Sequence, residues 1–144
     1  MSIILNIKMK KIVSILFLFL VITSCSVEDD SQRFHSVLVP AVDVEVPEEF
    51  TMGETYTIKV WYNKLSTCHN FNGFYYDKYL NERTIAVQNL VQEKTDCQDL
   101  EGELVYGTFD FVVTSNGSYV FKFWSGTDSE GQDTFIEIEI PVVN

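Results

Sequence analysis

The chain has 144 residues, and its 21 acidic side chains outnumber its 10 basic ones, which gives a formal net charge of −11. A protein this acidic repels nucleic acid and anionic lipid head groups, because binding to either depends on Lys and Arg side chains that neutralise phosphates. Nucleic acid is therefore excluded as a partner, and the length predicts one main domain with enough core to fold alone.

The N-terminal segment has the pattern of an export signal. Three lysines lie within residues 8–11, and an apolar run over residues 12–22 leads to small residues and Cys25. This run is about half as long as the ~20 apolar residues that a membrane-spanning helix needs, so it predicts a signal-peptide core. Met9 stands directly before two of the lysines, which leaves open whether translation begins at Met1 or at Met9.

The residues that end this segment, Ile22-Thr23-Ser24-Cys25, resemble the lipobox of bacterial lipoproteins. The resemblance covers residues 9–30 and implies that residues 1–24 are a signal peptide. It also implies that Cys25 becomes the first mature residue and carries a diacylglycerol and a palmitate-type acyl chain. Because each buried CH₂ contributes about 0.8 kcal/mol, two or three chains hold a small domain at a membrane. The alternative is an ordinary buried or free cysteine.

An acidic tether is predicted over residues 25–34, because its polar composition offers no apolar periodicity. Its run Glu28-Asp29-Asp30 resembles the signal that directs lipoproteins of the Bacteroidota type to the cell surface. Ser26 stands where lipoproteins of enteric type carry the aspartate that retains them at the inner membrane. The resemblance implies a protein anchored in the outer membrane, on either its surface or its periplasmic face.

Residues after the tether alternate in polarity with a period of two, which is typical of half-buried antiparallel strands. Residues 136, 138 and 140 are isoleucines, for example, while residues 137 and 139 are glutamates. Pro40 suits a first strand that lies at an edge or is broken in two. The pattern predicts an all-β antiparallel β-sandwich. Its seven strands are expected near residues 36–46, 54–63, 71–80, 83–93, 103–113, 117–124 and 133–142.

Two short stretches resemble immunoglobulin-like domains. Residues 117–121, Gly-Ser-Tyr-Val-Phe, are similar to their tyrosine corner, in which a tyrosine hydroxyl bonds back to the backbone at the start of strand F. Residues 50–60 resemble the start of strand B in bacterial modules of this kind. The resemblance implies an immunoglobulin-like β-sandwich over residues 35–144, although Phe121 stands in place of the cysteine of the usual B–F disulfide.

With Cys25 lipidated, two cysteines remain, Cys68 and Cys97. An even number of cysteines in an exported chain predicts a disulfide between them. The bridge closes a loop of about 30 residues, and it pins the two ends of a hairpin that turns at Asn81-Glu82.

Few residues suggest catalysis or metal binding. His69 beside Cys68 raises the hypothesis of a Cys–His nucleophile or a zinc-ligand pair, but adjacent residues of an extended chain point to opposite sides. The acidic loop over residues 128–133 offers oxygen atoms to calcium without the EF-hand spacing, and a solvated hairpin is the alternative. We therefore predict a protein that is not an enzyme and that holds no cofactor and no metal.

Aromatic side chains on both faces of two strands are the most informative feature. The alternation directs one set of side chains toward the core: Phe74, Tyr76, Leu80, Tyr119, Phe121 and Phe123. In immunoglobulin-like domains the corresponding strands share a sheet with the last strand. The resemblance therefore implies that the outer face of this sheet displays a candidate binding patch, with Glu137 and Glu139 beside it. The patch comprises Tyr75, Tyr79, Lys122 and Trp124. Rigid rings with polar groups are what glycan- and protein-binding surfaces use. Alternatively, the rings cover their own strands or pack on the N-terminal segment.

Together these features predict a lipid-anchored envelope lipoprotein whose domain is a non-catalytic binding or accessory module. The membrane is a partner through Cys25, and an envelope protein or a glycan is the expected partner of the domain. Two alternatives stay open: a small envelope enzyme with a site near His69, and a purely structural envelope component.

Overall fold

The computed structural model describes residues 32–143. The predicted signal peptide over residues 1–24 and the predicted lipidation at Cys25 lie outside the described residues. The described chain is all β and contains no helix. Its ten strands are β1 (Phe34–Val39), β2 (Ala41–Glu45), β3 (Phe50–Thr51), β4 (Thr55–Ser66), β5 (His69–Tyr79), β6 (Glu82–Gln92), β7 (Asp99–Val112), β8 (Tyr119–Thr127), β9 (Asp133–Ile140) and β10 (Val142–Val143).

The strands form two main sheets that pack as a β-sandwich. The larger sheet contains β5, β6, β1, β8 and β9, the smaller sheet has the order β2-β4-β7, and β3 pairs with β10 at one end. Strand β6 organises the larger sheet, because β5 pairs along one of its edges while β8 and β1 share the other. The predicted fold class, an all-β sandwich, is confirmed, and each of the seven predicted strands is present.

The first predicted strand is broken at Pro40. Residues 34–39 pair with β6 in the larger sheet, whereas residues 41–45 pair with β4 in the smaller sheet. A proline has no N–H to donate to a strand ladder, so the ladder ends at this residue and the chain changes sheets. One strand of the sequence pattern therefore contributes to both layers of the sandwich.

An immunoglobulin-like topology is not confirmed. In that fold the strands equivalent to β5, β8 and β9 share a sheet without another strand between them. Here β6 separates β5 from β8, and the pairing of β6 with β8 over residues 82–85 is parallel. The resemblance of the short motifs therefore did not predict how the strands are connected.

Alternating side chains of both sheets fill the space between them. Phe121 and Phe123 are fully buried there, and so are Ile58 from the opposite layer and Phe50 from the short strand β3. The Tyr119 hydroxyl accepts the backbone N–H groups of Thr114 and Ser115, at 3.1 and 2.9 Å. The predicted tyrosine-corner contact is thus confirmed, although it occurs in a different topology.

Two polar side chains lie in this core with incomplete hydrogen bonding. Asn89 is fully buried, and neither polar atom of its side chain has a partner within the described chain. Arg83 donates from Nη1 to the carbonyls of Leu80 and Glu82, at 2.9 and 2.6 Å, and its guanidinium carbon lies 4.9 Å from the Tyr119 ring centre. Its Nε has no partner among the described residues.

The prediction that Leu80 faces the core is wrong, whereas Tyr76 lies on the core-facing side of the sheet, opposite the buried Ile85, without being buried itself. Tyr76 is 47% exposed and Leu80 is 75% exposed, whereas Phe74 is half-buried against the core. Strand β5 is an edge strand that pairs only with β6 among the described strands. Tyr76 lies beside Phe74 in an open groove along β7, and Leu80 lies in the turn that leads to β6, so neither side chain is covered.

The disulfide between Cys68 and Cys97 is confirmed. The two Cα atoms are 5.5 Å apart, within the range that a disulfide spans. Cys68 lies in the turn between β4 and β5, and Cys97 lies in the segment between β6 and β7. Because β5 and β6 form a hairpin that turns at residues 80–81, the bridge fastens the open end of that hairpin, as predicted.

Candidate binding surface

The outer face of the larger sheet is organised in rows that the strand register defines. Paired residues of neighbouring strands lie on the same face. The first row contains Tyr79, Glu82, Val120 and Glu139. The second contains Asp77, Thr84, Lys122 and Glu137. Tyr75 with Ala86 and Trp124 with Phe135 continue this face in a third row.

The third row and the residues around it, including Thr84 of the second row, form a groove of about 280 Å³. Thr84 and Ala86 of β6 form its floor, because their short side chains leave space between longer neighbours. Its walls are Tyr75, Trp124 and Phe135, from three different strands, together with Leu38 and Asp133. A flat pleated surface thus becomes concave where small residues of the central strand lie between aromatic ones.

Two polar contacts fix the surroundings of the groove. The indole Nε1 of Trp124 donates to Oδ1 of Asp133 at 2.8 Å, which orients the ring and places a carboxylate at the wall. Lys122 lies 3.3 Å from a carboxylate oxygen of Glu82, in the rows next to the groove. The Lys122 ammonium is therefore paired on its own sheet, whereas the Asp133 carboxylate has no positively charged partner within residues 32–143.

The structure brings together part of the predicted patch. Tyr75 and Trp124 both line the groove, as wall residues of one site. Tyr79 and Lys122 are on the same outer face, but they lie outside the groove, and Tyr79 is four residues along β5 from Tyr75, about 13 Å. Tyr75 and Tyr79 are 51% and 68% exposed, so the predicted outward orientation of both is confirmed.

Sequence reasoning missed several residues of the groove. Phe135 could have been found, because the alternation that turns residues 136, 138 and 140 inward also turns Phe135 outward. Leu38 could not, since its place depends on the pairing of β1 with β6, where it lies opposite Gln88. Asp133 was predicted at the junction of the acidic loop over residues 128–133 and the strand over residues 133–142, and only the strand register brings it to Trp124.

Negative charge dominates this outer face. One ammonium, that of Lys122, stands among five carboxylates, and all six side chains lie in or beside the three rows. The carboxylates are those of Asp77, Glu82, Asp133, Glu137 and Glu139. Several negatively charged carboxylates on one surface create a field that attracts cations and repels anions.

The opposite outer face, on the smaller sheet, carries an aromatic pair of its own. Trp61 and Tyr106 are cross-strand partners with ring centres 4.8 Å apart. The Lys59 ammonium lies 5.8 and 5.2 Å from these two ring centres, and it donates to the Glu45 carboxylate at 2.7 Å. The hydrogen bond with Glu45 raises the pKa of Lys59. Here the chain supplies both the aromatic surface and the cation that covers it.

His69 lies at the start of β5, beside the disulfide-bonded Cys68 and in contact with Ser66. The sulfur of Cys68 is bonded to Cys97, so it is not a free thiolate. Ser66 Oγ lies 2.7 Å from His69 Nδ1, but Ser66 is buried and also accepts the backbone N–H of Cys68. Burial, together with the charge of His35, lowers the pKa of the His69 imidazole. The hydrogen bond between the Ser66 and His69 side chains joins the two ends of the turn between β4 and β5.

No metal site is found among the described residues, since no group of three His, Cys, Asp or Glu side chains converges there. In the acidic loop predicted as a calcium alternative, Asp128 Oδ1 accepts the backbone N–H groups of Glu130 and Gln132, both at 2.9 Å. This carboxylate stabilises the hairpin connection between β8 and β9.

Comparison with protein-family models, with curated proteins and with solved structures found no match for this chain. Within the described range, no helix is long and apolar enough to span a membrane.

Proposed function

We propose that this chain is a lipid-anchored envelope lipoprotein whose β-sandwich is a non-catalytic binding module. The groove between Tyr75, Trp124 and Phe135 supports the binding role, because aromatic walls around a small concave site are typical anchoring sites at interfaces. The groups that could support catalysis have other contacts. The Cys68 sulfur is bonded to Cys97, and the His69 ring is hydrogen-bonded to Ser66 across a turn.

The lipobox-like residues 22–25 support the anchoring role and a location at the outer membrane of a Bacteroidota-type envelope. In this proposal Cys25 carries the acyl chains, residues 25–34 act as the tether, and the domain reaches a partner on the surface or the periplasmic side. The acidic outer face fits a location away from anionic head groups, because like charges repel.

Replacing Cys25 with alanine should abolish lipid attachment and signal-peptide cleavage. The reason is chemical, because alanine has no sulfur to form the thioether bond. Metabolic labelling with a palmitate analogue, followed by electrophoresis, measures both effects, with loss of the label and a larger apparent mass expected. The control is Cys68→Ala, which removes a different cysteine and should keep the label. Persistent labelling of the Cys25 variant would contradict the proposed anchor.

A photoreactive phenylalanine derivative at position 75 should form a discrete cross-link with a partner in intact cells. The same residue at position 106 is the matched control, because Tyr75 and Tyr106 are 51% and 53% exposed and lie on opposite outer faces. Adding Trp124→Ala to the position-75 chain should remove most of the adduct. Equal yields from both positions, or no adduct at position 75, would count against the binding module and favour a purely structural component.

A further inference from the structure

Both outer faces of the sandwich combine aromatic rings with a carboxylate, but in the part of the chain that the structure describes only the smaller sheet also supplies a cation that lies over the rings. On the smaller sheet, the Lys59 ammonium lies over Trp61 and Tyr106 and pairs with the Glu45 carboxylate. The groove on the larger sheet also combines aromatic rings with a carboxylate, since Asp133 lies at its wall. What the groove lacks, among the described residues, is the cation.

No nearby group among residues 32–143 is suited to supply that cation. Lys122 is paired with Glu82 in the neighbouring rows and does not line the groove. The predicted tether is also unsuited, because residues 25–31 contain three acidic residues and no Lys or Arg. Its one basic residue, Arg33, lies before β1, five residues from Leu38 of the groove. Aromatic rings hold a cation over their faces most strongly when the site is partly desolvated and a carboxylate is near.

The size and the charge of the surface specify the occupant further. A volume of about 280 Å³ is just below the 300–1,000 Å³ of most small-molecule sites, and it suits one long side chain. The five carboxylates of the outer face attract a positively charged segment over several ångströms, with an effect that salt screens. Charge complementarity therefore favours a basic partner.

We propose that the groove binds a lysine or arginine side chain from a basic segment of a partner protein. The inference rests on the proposed function and adds the chemical class of the partner. The alkyl stem of such a side chain packs between Tyr75 and Phe135 over Ala86. Its charged end then reaches Asp133 and the face of the Trp124 ring, as the Lys59 ammonium reaches Glu45 and Trp61 on the other sheet.

The test is a titration of the full chain, purified in a nonionic maltoside detergent, followed by the indole N–H resonances of its two tryptophans. The probes are the N-acetyl methylamides of lysine, arginine and norleucine, and that of Nε-acetyllysine. The lysine and arginine probes should shift the Trp124 resonance saturably, whereas the two neutral probes should not. Trp61 is the internal control, because Lys59 already lies over its ring.

Variants separate the charge from the shape of the site. Asp133→Asn keeps an acceptor for the Trp124 indole and removes the charge, so it should weaken binding of the lysine probe about tenfold, or roughly 1.4 kcal/mol. Glu130→Gln removes an equal charge from the connection just before β9, outside the groove, and should change binding less than twofold. Raising the salt concentration should weaken binding of the charged probes.

Other outcomes would overturn the inference. Norleucine shifting Trp124 as strongly as lysine would mean an apolar site, and equal shifts at Trp61 would mean non-specific association. A Trp124 shift on concentrating the chain without probe would identify a second copy as the occupant. The absence of any shift would overturn it as well. In each case the position-75 cross-link decides separately whether the proposed binding function stands.

Discussion

Replacing Phe123 with alanine should lower the free energy of unfolding by about 3 to 5 kcal/mol, as is usual when a buried phenylalanine is truncated. Phe123 is fully buried, and its ring stacks on Phe121 with centres 5.9 Å apart. The truncation leaves a cavity that the surrounding strands can close only in part, because both sheets are fixed by their ladders. We expect Phe121→Ala to have a similar effect.

Trp124→Ala is the matched control for this prediction. The tryptophan follows Phe123 directly, but it lies on the outer face, is only half-buried and lines the groove. Its removal should cost about 1 kcal/mol or less, since little core contact is lost. Urea unfolding of the three variants, followed by far-ultraviolet circular dichroism, compares these values. If Trp124→Ala destabilises the chain as much as Phe123→Ala, the face assignment does not hold in solution.

Loss of the disulfide should produce the second large effect. The bridge joins residues 29 positions apart, and in the chain-entropy account a loop of this size contributes about 3 to 4 kcal/mol. We therefore expect the double variant Cys68→Ala, Cys97→Ala to unfold at a clearly lower urea concentration. The reason is that the unlinked chain gains conformational freedom mainly when it is unfolded.

Reduction of the unaltered chain provides the control. A reducing agent should lower the unfolding midpoint of the unaltered chain toward that of the double variant, and it should leave the double variant unchanged. Thiol titration of the folded chain before reduction should find neither Cys68 nor Cys97 reactive. Two reactive thiols, or a midpoint that reduction does not move, would show that the bridge does not form or does not stabilise the fold.

The sequence predicted best the features that depend on local alternation. Tyr119, Phe121 and Phe123 are buried while Trp124 lies on the outer face, because the period of two directs side chains along any regular strand. The same rule placed Tyr75 correctly. It also placed Tyr76 on the core-facing side, opposite Ile85, but Tyr76 is half exposed. Burial also requires a covering layer, and alternation alone cannot show where the opposite sheet ends.

The sequence pattern could not predict which strands pair with each other over long distances in the chain. The position of β6 between β5 and β8 decides that Ala86 forms the floor of the groove, and nothing in residues 82–92 specifies their neighbours. The polar core is a similar case. Polar residue types such as Asn89 and Arg83 are usually exposed, yet both are buried because they share the inward phase of Ile85 and Val87 on β6.

The break at Pro40 bears on how the tethered domain carries mechanical load. In the proposed anchored state, tension between the membrane and a bound partner reaches the domain at Phe34, the start of β1. Ladder bonds run perpendicular to the strands, so a pull along β1 loads all six of its register pairs with β6 in shear rather than opening them one by one. Beyond Pro40 the chain continues as β2 in the smaller sheet. Force that β1 transmits past this residue therefore also loads the second layer of the sandwich.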